Sequence, residues 1–164
     1  MQNLVQTKLI VNISDAKISD NPEHILITYS LGSCIAVSIY DPGKKIGGMI
    51  HYQLPSSGMD SEKAGKSPFM YADTGIRMLL EKMLILGADK RRLQVNIAGG
   101  SAMNTGPQGF DIGKRNYLAA RKFMWKKGIM INSEQVGGAA PRNMLLNISD
   151  GQVSIKCNGM TRTL

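Results

Sequence analysis

Apolar residues along the chain recur at two periods, and the change of period separates helices from strands. In "SPFMYADTGIRMLLEKMLILGADK", Met70, Ile76, Leu79, Leu80, Met83, Leu84 and Leu86 fall on one face of a helix. Ser67 as N-cap, Pro68 at the first helical position and Gly87 as a left-handed stop predict its limits. A second helix is predicted over "DIGKRNYLAARKFMWKKG", from Asp111 to Gly128, with Lys126 and Lys127 placed where the helix dipole favours cations. Seven shorter runs, "HILITY", "CIAVSIY", "IGGMIHY", "LQVNIAGG", "IMINSEQVGG", "NMLLNI" and "QVSIKC", are β-prone and bounded by Gly, Pro, Asn or Asp. Strand-rich ends flanking two helices predict a mixed sheet with helices packed on it, a layered α/β or α+β domain. The longest loop candidate is "LPSSGMDSEKAGKS", Leu54 to Ser67. It follows His51 closely enough to border a site.

Length and composition narrow the picture without changing it. A chain of 164 residues with 43% apolar and 20% charged residues fits one folded domain over residues 1–164. No run reaches the roughly 18 apolar residues of a membrane span, and the N-terminus lacks the pattern of a secretion signal, which predicts a cytoplasmic protein without membrane insertion. Two cysteines at 34 and 157, with no CxxC and no Cys/His cluster, argue against structural zinc, a redox pair or a disulfide framework. The net charge of +8 would attract an anionic partner. Its basic residues stand in scattered twos and threes and aromatic residues make up 5%, so no nucleic-acid partner is expected.

The chemistry concentrates in "LGSCIAVSIYDPGKKIGGMIHYQLP", where Cys34 and His51 lie seventeen residues apart. "IAVSIY" and "IGGMI" read as the arms of a hairpin around "DPGKK", with Pro42 and Gly43 at the centre of the turn. That register sets Cys34 directly opposite His51 on one face, with Cβ atoms about 4.5–5.5 Å apart. A shift of one residue would put them on opposite faces. An imidazolium beside a thiol lowers its pKa and can then protonate a leaving amine. Gly32 permits a sharp turn that can present the thiol and point amide N–H groups at an oxyanion, and Thr28, ending the preceding strand, could orient the imidazole. Read from spacing alone, a buried structural cysteine and histidine remain the commoner arrangement. His24 and Cys157 have no partner at informative spacing and read as structural. The Gly-Gly pairs at 47, 99 and 137 lack phosphate-loop spacing and read as close packing.

These residues, in this order, resemble the CheD family of chemoreceptor glutamine deamidases. "TYSLGSCIAVSIYDP", "IGGMIHYQLP", "YADTGIRMLLEKMLILGADKRRLQVNIAGGSAM" and "IGKRNYLAARKFMWKKGIMINSEQVGGAAPR" carry the likeness across residues 24–156. The resemblance implies a three-layer α/β/α sandwich with a mixed sheet and two main helices. It implies a cysteine-dependent hydrolase that converts receptor glutamines to glutamates, with Cys34 as nucleophile, His51 as base and acid, and Thr28 as orienting residue. It also implies that the backbone amides of Ser33 and Cys34 receive the oxyanion. Neither a metal nor an organic cofactor is implied. The expected partners are methyl-accepting chemotaxis receptors and a CheC-type phosphatase. The alternative is a non-catalytic chemotaxis protein that regulates such a phosphatase. Methylesterase action on receptor glutamyl esters would use the same thiol attack. Asn104 and Pro141 depart from the family pattern, and bear on partner or substrate preference.

Overall fold

The computed structural model describes residues 5–102 and 111–164, so Asn104 lies outside the described residues. Their strands form two five-stranded sheets. Sheet A has the order β1 (Thr7–Ile10), β3 (His24–Leu31), β8 (Arg142–Asn147), β9 (Val153–Cys157), β10 (Met160–Thr163). Sheet B has the order β2 (Asp15–Ser19), β5 (Ile46–Tyr52), β4 (Ile35–Asp41), β6 (Gln94–Gly99), β7 (Ser133–Val136). β1 with β3 and β6 with β7 are parallel, and the remaining pairs are antiparallel. All seven β-prone runs contain strands. The sequence reading missed β1, β2 and β10, which are edge strands with mostly exposed or half-buried side chains and therefore little apolar alternation.

The α/β class, the mixed strand directions and the two main helices agree with expectation, but the layers are ordered differently. Every residue of β4 and β5 is buried, so sheet B needs cover on both faces. On one face Ile35, Val37, Ile39, Ile50 and Tyr52 pack against α2 (Ala72–Ile85) and α3 (Ile112–Lys127) through Ile76, Leu79, Met83, Ala120 and Met124. On the other, Ala36, Tyr40, Met49 and Ala98 pack against Leu26, Met144, Leu146, Val153 and Ile155 of sheet A. The arrangement is α/β/β rather than α/β/α. β8 shows why: its residues alternate buried and half-buried, the mark of a strand whose sheet is covered on one side only.

The helix of residues 111–128 forms as read, with the Asp111 side chain accepting from Lys114 N at 3.0 Å and Gly128 closing it at φ 67°. The other begins four residues later than Pro68. Pro68–Met70 make a 3₁₀ turn and Tyr71 is extended, because Tyr71 bridges Leu54 and Ala72 N donates to Leu54 O at 2.9 Å. The expected loop of residues 54–67 is partly ordered into a 3₁₀ turn, Ser57–Met59, and a short helix α1, Ser61–Lys66, capped by Asp60. Ser57 ties this segment to α2 by donating its hydroxyl to Asp73 Oδ2 at 2.6 Å. Among the described residues, no helix is long and apolar enough to cross a membrane.

Candidate active site

Thr28 and His51 meet in the layer between the two sheets, and Cys34 packs against the same layer. β3 carries Leu26 and Thr28 inward, and an irregularity in its pairing with β8 between Thr28 and Leu31 puts Ser30 at φ 57°. This one-residue bulge rotates Leu31 back into the core, and Gly32–Cys34 then carries the chain from sheet A to sheet B. His51 enters from β5, on the face that includes Met49.

The register of the β4–β5 hairpin differs from expectation. His51 lies opposite Ala36, not Cys34, and Asp41 lies opposite Ile46, so Pro42–Lys45 form a four-residue loop. The reason is Asp41, whose fully buried carboxylate accepts from Gly43 N at 2.8 Å and Lys44 N at 3.3 Å and pairs with Arg92 at 2.9 Å. Those bonds hold the carboxyl well below its usual range and specify the longer turn. The slip is by two positions, which preserves the face: Cys34 and Ala36 both join the inter-sheet cluster that His51 faces. Among the described residues no hydrogen bond joins Cys34 to His51.

The hydrogen bonds of Thr28 fix the form of the histidine. Its hydroxyl donates to Val11 O at 2.7 Å, and a hydroxyl has one hydrogen to give. Its oxygen, 2.8 Å from His51 Nδ1, must then accept from the ring. His51 is accordingly the Nδ1–H tautomer, with a bare lone pair on Nε2. That atom is buried and has no partner among the described residues. Burial holds the imidazole pKa down to about 4, so the ring is neutral near pH 7 and able to accept a proton.

Cys34 is half-buried, and burial raises its thiol pKa more than its own backbone N–H lowers it. The resting pair is therefore thiol and neutral imidazole, not the thiolate–imidazolium pair considered from spacing. Among the described residues, the amides of Ser33 and Cys34 donate to no backbone carbonyl.

Two residues that the sequence reading passed over hold this loop. Asn116 of α3 is fully buried and donates to Ser33 O at 3.0 Å and Gln53 O at 2.7 Å, while Tyr52 donates its hydroxyl to Asn116 O at 2.6 Å. Arg142 is 5% exposed and bonds Gly137 O, Gln135 O at 2.8 Å and Ser101 Oγ at 3.2 Å. Ser101 N in turn donates to Gly32 O at 2.8 Å, and Gly100 N to Cys34 O at 2.9 Å. Gly99 and Gly100, at φ 110° and 64°, lie so close that a methyl group at Gly99 would overlap the Cys34 carbonyl. Both polar residues were detectable: Asn116 shares a helical face with Ala120 and Met124, and Arg142 shares strand parity with Met144 and Leu146. His24 bonds Ser19 Oγ at 2.7 Å and Asn21 Nδ2 at 3.3 Å, within its own turn. Among the described residues no cluster of three His, Cys, Asp or Glu could hold a metal ion.

A free cysteine packed against the same inter-sheet layer as a buried histidine with one nitrogen fixed and the other bare supplies the groups a thiol-dependent acyl-transfer site needs. Residues 53–157 match the family model CheD, chemotactic sensory transduction. The chain is 46% identical over 157 residues to a protein of Solibacter usitatus named probable chemoreceptor glutamine deamidase CheD, covering 96% of this chain and 93% of that one. A similarly named protein of Syntrophus aciditrophicus is 46% identical across 92% and 94% of the two chains, and one of Methanococcus vannielii 40% identical across 90% and 94%. The chain belongs to the CheD family. The solved structure of Neisseria meningitidis protein NMB0706, described with the family model DUF152, is 11% identical and overlaps with a TM-score of 0.46 over 84% of this chain and 65% of that one. Thr28, Cys34 and His51 precede the segment matched by the family model, while the three relatives align over at least 90% of this chain.

Proposed function

We propose that this chain is a chemoreceptor glutamine deamidase that hydrolyses the side-chain amide of receptor glutamines through a Cys34 thioester. The observation that carries the mechanism is the Thr28–His51 hydrogen bond with Nε2 left bare in the layer that Cys34 joins. The proton of Cys34 passes to Nε2 as Sγ attacks the glutamine carbonyl carbon. The Ser33 and Cys34 amides receive the developing oxyanion. Imidazolium Nε2–H then protonates the departing nitrogen, ammonia leaves and the thioester remains. Water gives a proton to Nε2 and its oxygen to the carbonyl carbon, and the thiolate recovers the proton as glutamate is released.

Because the resting thiol is neutral, proton transfer accompanies attack rather than preceding it. A substrate carbonyl that draws Cys34 toward Nε2 would complete the arrangement. The family names support receptors as substrate, and the absence of a membrane-crossing helix among the described residues fits action in the cytoplasm. A CheC-type phosphatase as partner and a single domain over residues 1–164 belong to the same reading. Mass spectrometry of receptor cytoplasmic fragments, treated with the wild type or Cys34→Ala, tests it. The expected result is glutamine-to-glutamate conversion with ammonia release by the wild type alone; equal, slow release by both proteins would favour the non-catalytic regulator.

A further inference from the structure

The sequence scatters its basic residues, but the fold gathers six of them on α3. That helix carries Lys114, Arg115, Arg121, Lys122, Lys126 and Lys127 with no acidic residue, against a net charge of +8 for the whole chain. Asn116, Ala120 and Met124 form its buried face. At 100° per residue the opposite face is centred on Leu118 and Lys122, with Trp125 one turn further. Leu118 is 48% exposed and Trp125 81%, seven residues apart on one stripe. This is an apolar seam with heptad spacing and a basic border.

A groove lies on each side of the seam, and Leu118 and Lys122 line both. One, about 720 Å³, runs between α3 and the segment containing Ile131 and Glu134; the other, about 500 Å³, lies beside Pro55 and Phe123. Glu134 is engaged by the Tyr117 hydroxyl at 2.6 Å. Among the described residues no carboxylate forms an ion pair with Lys122 or Lys126. The uncompensated charge therefore faces outward along the seam.

We propose that the exposed face of α3 docks an acidic amphipathic helix of the protein substrate, one whose apolar side chains recur every seven residues. Such a helix lays its apolar stripe on Leu118 and Trp125 while its carboxylates meet Lys122 and Lys126. The proposal rests on the deamidase reading for the identity of the substrate. The link to the reaction is α3 itself, whose Asn116 holds the Cys34 loop two residues before Leu118. From Asn116 to Trp125 the helix rises about 14 Å, so one continuous element joins the seam to the nucleophile's support. An anionic membrane would use the same charges without needing the heptad spacing.

The test measures binding of a receptor cytoplasmic fragment by full-length protein carrying Cys34→Ala, which stops turnover. Lys122→Glu with Lys126→Glu should weaken binding by about tenfold or more, and Trp125→Ala by a similar factor. Lys90→Glu with Arg162→Glu makes the same change in net charge away from α3 and should alter binding by less than about threefold. Thermal unfolding of each variant establishes that it is folded; all of these side chains but Arg162's lie on helices or turns, and all are exposed. Equal weakening by both charge pairs, or none by either, overturns the proposal. So does loss of binding to phosphatidylglycerol vesicles with fragment binding retained. Ammonia release from the same fragment by wild type is scored separately, and its absence would count against the deamidase reading alone.

Discussion

The two faces of sheet B are equally buried and do different work. Toward the helices, the layer of Ile35, Val37, Ile39, Ile50, Leu79 and Met83 is apolar, and its packing stabilises the fold. Toward sheet A, the layer also contains Thr28 and His51, 0% and 3% exposed, with a ring nitrogen unpartnered. Burying an unpaired polar atom costs about 1–3 kcal/mol. Both sides bury an unpartnered polar atom, Asn116 Oδ1 under the helices and His51 Nε2 between the sheets, but the first is an amide oxygen and the second a ring nitrogen able to take up a proton. The two sides differ in the kind of atom left unpaired, not in depth.

Substitutions on the two faces should separate stability from activity. The largest effect is expected for Cys34→Ala, which should abolish ammonia release from receptor fragments while leaving the melting temperature nearly unchanged. Leu79→Ala, on the helix-facing layer, should cost about 2–5 kcal/mol of stability in urea unfolding and leave the rate per folded molecule near that of wild type. Thr28→Val strands both the Val11 carbonyl and the His51 Nδ1–H, and should cost about 1–3 kcal/mol together with a fall in activity of about tenfold to a hundredfold. Equal activity loss for Leu79→Ala and Thr28→Val would erase the distinction between the layers.

The two layers also differ in acid stability, which leaves activity near pH 7 untouched. His51 has its pKa lowered to about 4 from 6.5, so above pH 6.5 folded and unfolded chains are both neutral there and nothing changes. As pH falls from 6.5 toward 4 the unfolded chain takes up a proton that the folded chain refuses. Stability therefore declines through that window, by about 3 kcal/mol when complete. Asp41, whose pKa is depressed, adds its own loss only below its usual value of 3.8. Denaturant unfolding across pH should show the upper decline in the wild type and not in His51→Gln.

Most of the fold was legible where one local rule dominated. "IGGMIHY" coincides with β5, and Asp111 and Gly128 cap α3 as their residue types require. The start of α2 was not, because the bridge from Leu54 to Tyr71 is a long-range constraint on residues whose local signals favoured helix. The turn at Pro42–Gly43 misled for the same reason: Arg92, remote in sequence, holds Asp41 and lengthens the loop. Cys34 and His51 still share a face because the register error was even. The second sheet was hidden in the alternation of Arg142–Asn147, and the role of Asn116 in an amide sitting among buried helix positions.

Nitrogen NMR of uniformly labelled protein reads directly whether the fold holds His51 as a neutral Nδ1–H base with Nε2 open. With two histidines in the chain, the spectrum contains two imidazoles. His51 should show a protonated Nδ1 and an unprotonated Nε2 at pH 7, with titration delayed to about pH 4. A hydrogen on Nε2 at pH 7, or titration near 6.5, would contradict it.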